Sequence, residues 1–360
     1  MQIQTLTFVK KTPPPPWSVG SLSTAGGTVY KISTEWSRDD SWGMIRSRTS
    51  AYRMRYSVDP GLYAVGDPTP QSDVLVTANY KLSFDILRRS LDGMDAWVLV
   101  LDTKSINVWC AAGKGTFGTD ELVNRMSAVR LSEVVSHRRL ILPQLGAVGV
   151  SAAEVRKRTG FRVNFGPVEA RDIPAYVKAN YVKTPEMRTI RFTMLDRLVL
   201  TPMELNPALR KYPWFGLAVL VVFGIQPSGI LFRDAFLGGM PFLLLGLVAV
   251  FTGAFLTPGL LPFIPFRSFA LKGLLAGFAA TAAADAGTSL LQHGLVRGAA
   301  YMLFPALSSY LALQFTGATT YTGMTGVKKE LKFAVPVYFA AIGLSAMLVI
   351  LYKLRSWGVV

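Results

Sequence analysis

The chain has 360 residues, of which 51% are hydrophobic, and its 38 Lys and Arg residues against 22 Asp and Glu give a formal net charge of +16. A single cysteine excludes an intrachain disulfide and a thiolate cluster for zinc or iron–sulfur, and the histidines do not cluster with other ligand residues. Basic and aromatic residues do not interleave as in RNA-binding proteins, so the charge favours a membrane or an anionic cofactor over nucleic acid.

The first 73 residues are predicted to flank a domain. Residues 1–20 are typical of a proline-rich leader, stiffened by Pro13–Pro16, and residues 21–73 of an N-terminal extension packed on the soluble domain. No apolar core of signal-peptide length follows Met1. We therefore expect the soluble part in the cytoplasm, where a free thiol stays reduced.

Residues 74–185 are predicted to form an α/β, Rossmann-like parallel-sheet domain, because strand-like and helix-like patterns alternate. The continuous apolar run Ala96–Leu101 is typical of a strand buried on both faces. Ligands of such sheets bind beyond the carboxyl ends of the strands, which is where the residues after Leu101 must lie. The predicted strands are 74–78, 96–101, 139–142 and 161–165, and the predicted helices are 84–91, 119–128, 151–158 and 173–180.

After a linker at 186–211, long apolar runs predict an all-α transmembrane domain over 212–352, followed by a C-terminal tail at 353–360. Each predicted span is long enough to cross a bilayer, for which a transmembrane helix needs roughly 20 apolar residues. Lys and Arg are more numerous on the flanks that face the cytoplasm if the N-terminus is inside. The chain is therefore expected to be a multi-pass protein of the cytoplasmic (inner) membrane. Its five predicted spans are 212–232, 235–256, 268–291, 296–316 and 332–352.

The segment around Cys110 carries the strongest functional signal. Asn107 is a favourable helix N-cap, which would put Cys110 in the first turn, where the helix dipole favours a thiolate. The small residues at 111–113 leave room for a broad ligand, and Lys114 adds a positive charge one turn further on. The competing interpretation is a small, buried, inert thiol, as most lone cysteines are.

Other patterns are weaker. Gly113-x-Gly115-x-x-Gly118 matches the dinucleotide fingerprint by letter, but too many residues separate it from the preceding strand, and no acidic residue ends a second strand at the expected distance. Asp285 is the one clear carboxylate in or near a predicted span, which makes it a functional hypothesis by default. We favour a structural role for it, in which it caps the third span or pairs with Arg297.

The run Asn-Val-Trp-Cys-Ala-Ala-Gly-Lys at 107–114 resembles the cap-helix signature of the membrane-bound corrinoid proteins of microbial mercury methylation. That family joins a soluble corrinoid-binding domain to a five-span membrane domain. The soluble domain is similar to the corrinoid-binding domain of the large subunit of the corrinoid iron–sulfur protein, which lacks the cysteine. Further runs that look like the family are 75–81, 95–102, 118–122 and 315–323.

The resemblance implies a cobalamin-type corrinoid with Cys110 as the catalytic residue and lower axial ligand of cobalt. Cys110 would take the place of the corrinoid's own base on cobalt. An anionic thiolate is a strong electron donor, so it favours departure of a methyl group from methyl-Co(III) with its electron pair, as Hg(II) requires. Transfer as a radical stays open. The implied product is methylmercury. The candidate cofactor-binding residues are Asn107, Val108, Trp109, Cys110, Ala111, Ala112, Gly113 and Lys114, with Thr77, Asn79 and Tyr80 at the end of another strand.

A single cysteine also predicts partners. If Cys110 binds cobalt, it cannot hold Hg(II), so the thiols that carry mercury must belong to another molecule. Loss of a methyl carbanion leaves Co(III), whereas methylation by a methyl-cation donor needs Co(I), and the chain has no cysteines for a cluster that could supply electrons. The resemblance suggests a ferredoxin-like protein with two 4Fe-4S clusters for both needs, and a methyl-folate-dependent methyltransferase as the methyl source.

Two alternatives stay open at this point. The chain could be a corrinoid methyl carrier of general one-carbon metabolism, because no residue is visibly suited to bind mercury. It could also be a membrane transporter with a regulatory soluble domain, since prolines interrupt the predicted spans as they do in transporter helices.

Overall fold

The computed structural model describes residues 14–49, 51–288, 291–319 and 321–360. The leader prediction for residues 1–13, and Thr320 in the 315–323 run, lie outside the described residues. The chain divides into two compact units, Met1–Ile190 and Arg191–Val360.

Seven strands of the described residues form one mostly parallel sheet in the first unit, in the order β1-β2-β3-β5-β4-β6-β7. The predicted strands pair in parallel, as β5 with β4, β4 with β6, and β6 with β7. Only β1 with β2 and β3 with β5 are antiparallel. The strands are β1 (Ser18–Thr24), β2 (Gly27–Ile32), β3 (Gly61–Val65), β4 (Val74–Ala78), β5 (Ala96–Leu101), β6 (Arg139–Leu142) and β7 (Arg162–Phe165).

Helices cover both faces of this sheet, as the predicted alternation requires. Successive side chains of β4 point to opposite faces, so Val74, Val76 and Ala78 join one core cluster while Leu75 joins the other. The continuous apolar runs of β4 and β5 therefore place apolar side chains in the core clusters on both faces of the sheet. The helices are α1 (Arg38–Thr49), α2 (Lys81–Ser90), α3 (Val108–Lys114), α4 (Thr119–Ala128), α5 (Leu131–Val134), α6 (Ala152–Thr159) and α7 (Ile173–Lys178).

The predicted extension at 21–73 contributes β2, β3 and the larger part of β1 to the sheet itself, and β1 begins at Ser18, within the predicted leader. The apolar run of β3 pairs with β5 from Gly61 opposite Val100 to Val65 opposite Ala96. A buried charge cluster also ties this segment to α2. Asp40 of α1 contacts Lys81 (3.4 Å) and Arg88 (2.6 Å), and both cations contact Asp85. Two cations and two carboxylates balance, which makes the burial of four charges tolerable.

The second unit is helical, with a two-stranded hairpin of β8 (Ile225–Gln226) and β9 (Gly229–Ile230). Helix α13 contacts α10, α12 and α14, and its glycine-lined contact with α12 is close, since a Cβ at Gly277 would lie 2.9 Å from the Pro305 backbone. The helices are α8 (Met194–Leu200), α9 (Pro202–Gly224), α10 (Phe232–Phe251), α11 (Thr257–Gly259), α12 (Phe269–Thr288), α13 (Gly294–Gln314) and α14 (Met324–Ser356), with a π turn at Thr252–Leu256.

Three helical stretches within the described residues are long and apolar enough to cross a membrane: Phe232–Gly259, Phe269–Thr288 and Thr325–Ser356. The five predicted spans therefore stay a prediction. The first span, 212–232, begins near the middle of α9 and continues through the β8–β9 hairpin to the start of α10, so it is not one helix. The fourth falls mostly in α13, which carries Arg297 and buried serines. The segment predicted as a linker contains α8, and a capping box formed by Thr193 and Asp196 stabilises the N-terminus of this helix.

Candidate functional site

The carboxyl ends of β4, β5, β6 and β7 meet at one edge of the sheet, and α3 follows β5 at that edge. A cavity of about 410 Å³ opens there, between the strand ends, α2 and the start of α3. Its lining is mostly apolar, with a few hydroxyl and charged groups. The lining residues are Leu75, Val76, Thr77, Ser83, Ile86, Leu87, Ser90, Asn107, Val108, Trp109, Ile141, Leu142, Pro143, Leu145, Gly166, Pro167, Val168, Glu169, Ala170, Arg171 and Ile173.

The N-cap prediction for Asn107 is confirmed. Its side-chain oxygen accepts a hydrogen bond from the backbone N–H of Cys110 at 3.2 Å, so Cys110 lies in the first turn of α3. The helix ends at Gly115, whose φ of 81° is a left-handed conformation that glycine adopts without strain. The residues at both ends of α3 therefore follow local capping rules.

The thiol of Cys110 is half-buried. Burial raises the pKa of this thiol, and the positive charges of Arg53 and Lys114 offset only part of that effect. The net shift of the pKa is therefore upward, away from the thiolate that the position in the first turn was expected to favour. Arg53, which sequence analysis missed, approaches this region from residues 51–55, and no local pattern could have indicated it.

Ala111 and Ala112 face the core, and their predicted contact with a cofactor stays a prediction. Both are buried among the apolar residues of one face of the sheet. Their small size lets α3 lie against the loop at 146–149, where a Cβ at Gly149 would meet the Phe117 oxygen at 2.1 Å and the Cα of Ala112 at 3.0 Å. Small side chains are needed for close packing at this point.

The other predicted residues of this segment face outward or toward the cavity. Asn107, Val108 and Trp109 line the cavity. Gly113 and Lys114 are exposed, and a Cβ at Gly113 would meet no atom within 4 Å. Their contact with a cofactor stays a prediction.

Of the three candidates at the end of β4, only Thr77 lines the cavity, and it is buried. The Asn79 side chain points to the β5–α3 connection, where its Oδ1 accepts from the backbone N–H groups of Thr103 and Ser105. The buried Tyr80 ring lies under the guanidinium of Arg53, at 5.3 Å from its centroid.

Asp285 in the second unit has the structural partners that we favoured. Its carboxylate pairs with Arg297 at 3.0 Å and accepts from the Tyr301 hydroxyl at 3.3 Å. Within the described residues, no three His, Cys, Asp or Glu side chains group in a way that could hold a metal ion. A metal at Cys110 would therefore need ligands of its own, as the metal of a macrocycle has.

Comparison with known proteins finds similarity in the part of the chain that contains the cavity and α3. Residues 48–177 match the family model of the CO dehydrogenase/acetyl-CoA synthase delta subunit. The chain is also similar to the acetyl-CoA decarbonylase/synthase complex subunit gamma of Archaeoglobus fulgidus, with 30% identity over 131 residues, or 36% of this chain and 27% of that protein.

Two further relatives carry the same description. The subunit gamma of Methanopyrus kandleri is 30% identical over 123 residues, which cover 34% of this chain and 26% of that protein. That of Methanothermobacter thermautotrophicus is 31% identical over 127 residues, which cover 35% and 27%. The chain thus spans only about a quarter of the length of the curated relatives that it matches.

Proposed function

We propose that the first unit binds a cobalamin-type corrinoid and acts in methyl transfer, with Cys110 as the residue that would bind cobalt. The observation that carries the proposal is the half-buried thiol of Cys110, held by the Asn107 cap in the first turn of a helix beside a cavity at the carboxyl edge of parallel strands. The resemblance of the 107–114 run to corrinoid cap helices supports it, and so does the match of residues 48–177 to a subunit of an acetyl-CoA-forming complex.

The residues fit such a cofactor in two respects. Cys110 supplies a soft sulfur donor of the kind that thiolate-binding metals prefer. The mostly apolar cavity lies in the size range of small-molecule pockets but is too small for a whole corrinoid, so we assign it to the base that Cys110 displaces. Thr77 and Trp109 would then contact this base.

When bound, the corrinoid supplies a cobalt that accepts, holds and releases a methyl group. The chain's own part is to present the ligand. The Asn107 cap fixes the backbone N–H of Cys110, and the packing of Ala111 and Ala112 keeps α3 against the sheet. Because burial raises the pKa of the Cys110 thiol, this thiol would hold its proton until a metal binds and would then release it to solvent.

We assign inorganic Hg(II) as the methyl acceptor, which makes the chain a methyltransferase that forms methylmercury. The eight-residue run with its cysteine supports this choice, because a thiolate donates more electron density than a neutral imidazole does. Since Cys110 is the sole thiol, a ferredoxin-like partner would bring both electrons and mercury-carrying thiols, and a methyl-folate-dependent methyltransferase would bring the methyl group. The helical unit would anchor the chain in the cytoplasmic membrane, with the first unit in the cytoplasm.

A second candidate is a corrinoid methyl carrier of general one-carbon metabolism. The descriptions of the relatives favour it, because all of those quoted are subunits of acetyl-CoA decarbonylase/synthase complexes. The two candidates share the cofactor and Cys110 and differ in the methyl acceptor.

The cofactor proposal is tested with the purified full-length chain in detergent. Wild-type protein mixed with hydroxocobalamin should show the absorption change of a sulfur–cobalt bond, and Cys110→Ala should not. Ser151→Ala is a suitable control, because Ser151 caps α6 as Asn107 caps α3 but lies outside the cavity lining. An identical spectrum for wild type and Cys110→Ala would refute the ligand role.

The acceptor is tested in cells. Under the mercury proposal, Cys110→Ala should abolish methylmercury formation and leave growth on one-carbon substrates unchanged. If deletion of the gene instead stops that growth and leaves methylmercury formation intact, the second candidate is correct.

A further inference from the structure

The connection between β5 and α3 is held by a side chain from the neighbouring strand β4. Asn79 follows β4 and is only 6% exposed. Its Oδ1 accepts hydrogen bonds from the backbone N–H of Thr103 and of Ser105, each at 3.0 Å. Because two backbone donors face this atom, it must be the amide oxygen, and Nδ2 then faces Oδ1 of Asp102 at 3.5 Å.

The segment that Asn79 holds has an unusual backbone. Lys104 and Ser105 both adopt left-handed conformations, with φ values of 58° and 60°, which are uncommon for residues other than glycine. Such conformations persist where surrounding contacts over-determine them. The fully buried Thr103 adds one such contact, since its hydroxyl donates to the Ile106 oxygen at 2.6 Å. The chain enters the Asn107 cap directly after this turn.

We propose that Asn79 is a positioning residue for Cys110, acting through the turn at 102–106 rather than by touching the cofactor. This inference rests on the proposed role of Cys110 as a metal ligand. The Asn79 oxygen anchors the two N–H groups on which the turn depends, and the turn sets where α3 begins. An aspartate would keep the acceptor oxygen but would place a second carboxylate beside Asp102, which explains the choice of an amide.

The test uses the fact that Cys110 is the only cysteine, so alkylation of the full-length chain reports on this thiol alone. In cofactor-free protein at fixed pH, Asn79→Leu should raise the rate of Cys110 alkylation by iodoacetamide roughly tenfold, because unpartnered N–H groups make local opening more frequent. The same variant should lose the sulfur–cobalt absorption with hydroxocobalamin. Asn79→Asp, which keeps the acceptor, should alkylate more slowly than Asn79→Leu.

Asp73→Asn is the matched control, because Asp73 precedes β4 as Asn79 follows it. It is 8% exposed and binds Arg139 at 2.8 Å and Tyr181 at 3.0 Å. This variant should lose thermal stability while its Cys110 alkylation rate and sulfur–cobalt absorption stay those of wild type.

The outcomes separate the two proposals. If Asn79→Leu alkylates as slowly as Asp73→Asn and keeps the sulfur–cobalt absorption, the positioning role is overturned and the ligand role stands. Equal rates for Asn79→Asp and Asn79→Leu also contradict the anchoring by the acceptor oxygen. If wild type shows no sulfur–cobalt absorption but Asn79→Leu still alkylates faster, Asn79 positions Cys110 and the cofactor proposal fails.

Discussion

Replacing Asp85 with asparagine should destabilise the first unit strongly. The Asp85 side chain is 1% exposed and binds Lys81 at 2.5 Å, Arg88 at 2.8 Å and the Tyr56 hydroxyl at 3.2 Å. An asparagine has nearly the same volume, so no cavity forms. It leaves two buried cations with only Asp40 as a counter-ion, because a neutral amide oxygen replaces the Oδ1 that accepts from Lys81 and Arg88. The amide N–H₂ then faces the Tyr56 hydroxyl, which must change from donor to acceptor. Breaking a buried pair in this way costs about 3–5 kcal/mol.

The assay is thermal unfolding of the full-length chain in detergent, followed by tryptophan fluorescence. Trp17 is a local reporter, because its ring centroid lies 5.5 Å from Lys81 Nζ. The expected cost corresponds to a fall in Tm of roughly 6–20 °C for a unit of this size. The control is Asp67→Asn, which removes an ion pair with Lys31 at 2.7 Å on the surface, where Asp67 is 83% exposed.

An exposed pair of this kind contributes about 0–1 kcal/mol. If Asp85→Asn unfolds within a few degrees of Asp67→Asn, the buried cluster does not hold the N-terminal segment to α2, and the reasoning fails. A large loss for Asp85→Asn alone would show that the attachment of β1–β3 depends on the balance of these charges.

Three further predictions concern pH and packing. Burial raises the pKa of Asp40, but hydrogen bonds, above all from Arg88, more than offset this and lower the pKa to about 2. The stability that Asp40 contributes is therefore complete above its ordinary pKa and is lost as the pH falls through about 4 to 2. Over that pH range, Asp40→Asn should show a smaller loss of Tm than the wild type. The alkylation rate of Cys110 in cofactor-free protein should rise with pH through a midpoint above that of free cysteine, since burial raises the pKa of the thiol; a midpoint below that value would contradict the half-buried position. Gly149→Ala should lower the free energy of unfolding by about 1–3 kcal/mol, because its Cβ would meet a backbone oxygen at 2.1 Å. Gly113→Ala should be neutral or stabilising by up to about 1 kcal/mol, because its Cβ would meet no atom. The Gly113 variant should weaken corrinoid binding only if the macrocycle rests on that residue.

Features that depend on near neighbours in sequence could be predicted. The continuous apolar runs of β4 and β5 predict buried strands. The N-cap preference of asparagine predicts the start of α3, because the side chain of Asn107 bonds a backbone N–H only three residues on. The placement of α3 beyond a parallel strand followed from the alternation of elements. The mostly parallel sheet and the first turn of Cys110 were therefore accessible from the sequence.

Features that depend on distant contacts could not be predicted. Which face of α3 packs on the sheet decides whether Ala111 and Ala112 meet the core or a ligand, and no local pattern in a seven-residue helix determines this. Asn79 contacts residues more than twenty positions away, and the approach of Arg53 to Cys110 requires the folded extension. Strand β3 was not predicted from the sequence, because β3 pairs with β5, and β4 and α2 separate the two strands along the chain.

The electrostatics of Cys110 argue against a nucleophile and are compatible with the proposed metal ligand. A reactive cysteine works as a thiolate and therefore needs a lowered pKa, whereas burial raises the pKa of this one. A raised pKa protects an unliganded thiol from oxidation and alkylation, because it stays protonated at neutral pH. A metal cation bound at Cys110 would replace the proton and would stabilise the thiolate far more than Arg53 or Lys114 can. Under the proposed function, the site would be inert without its cation and electron-rich with it.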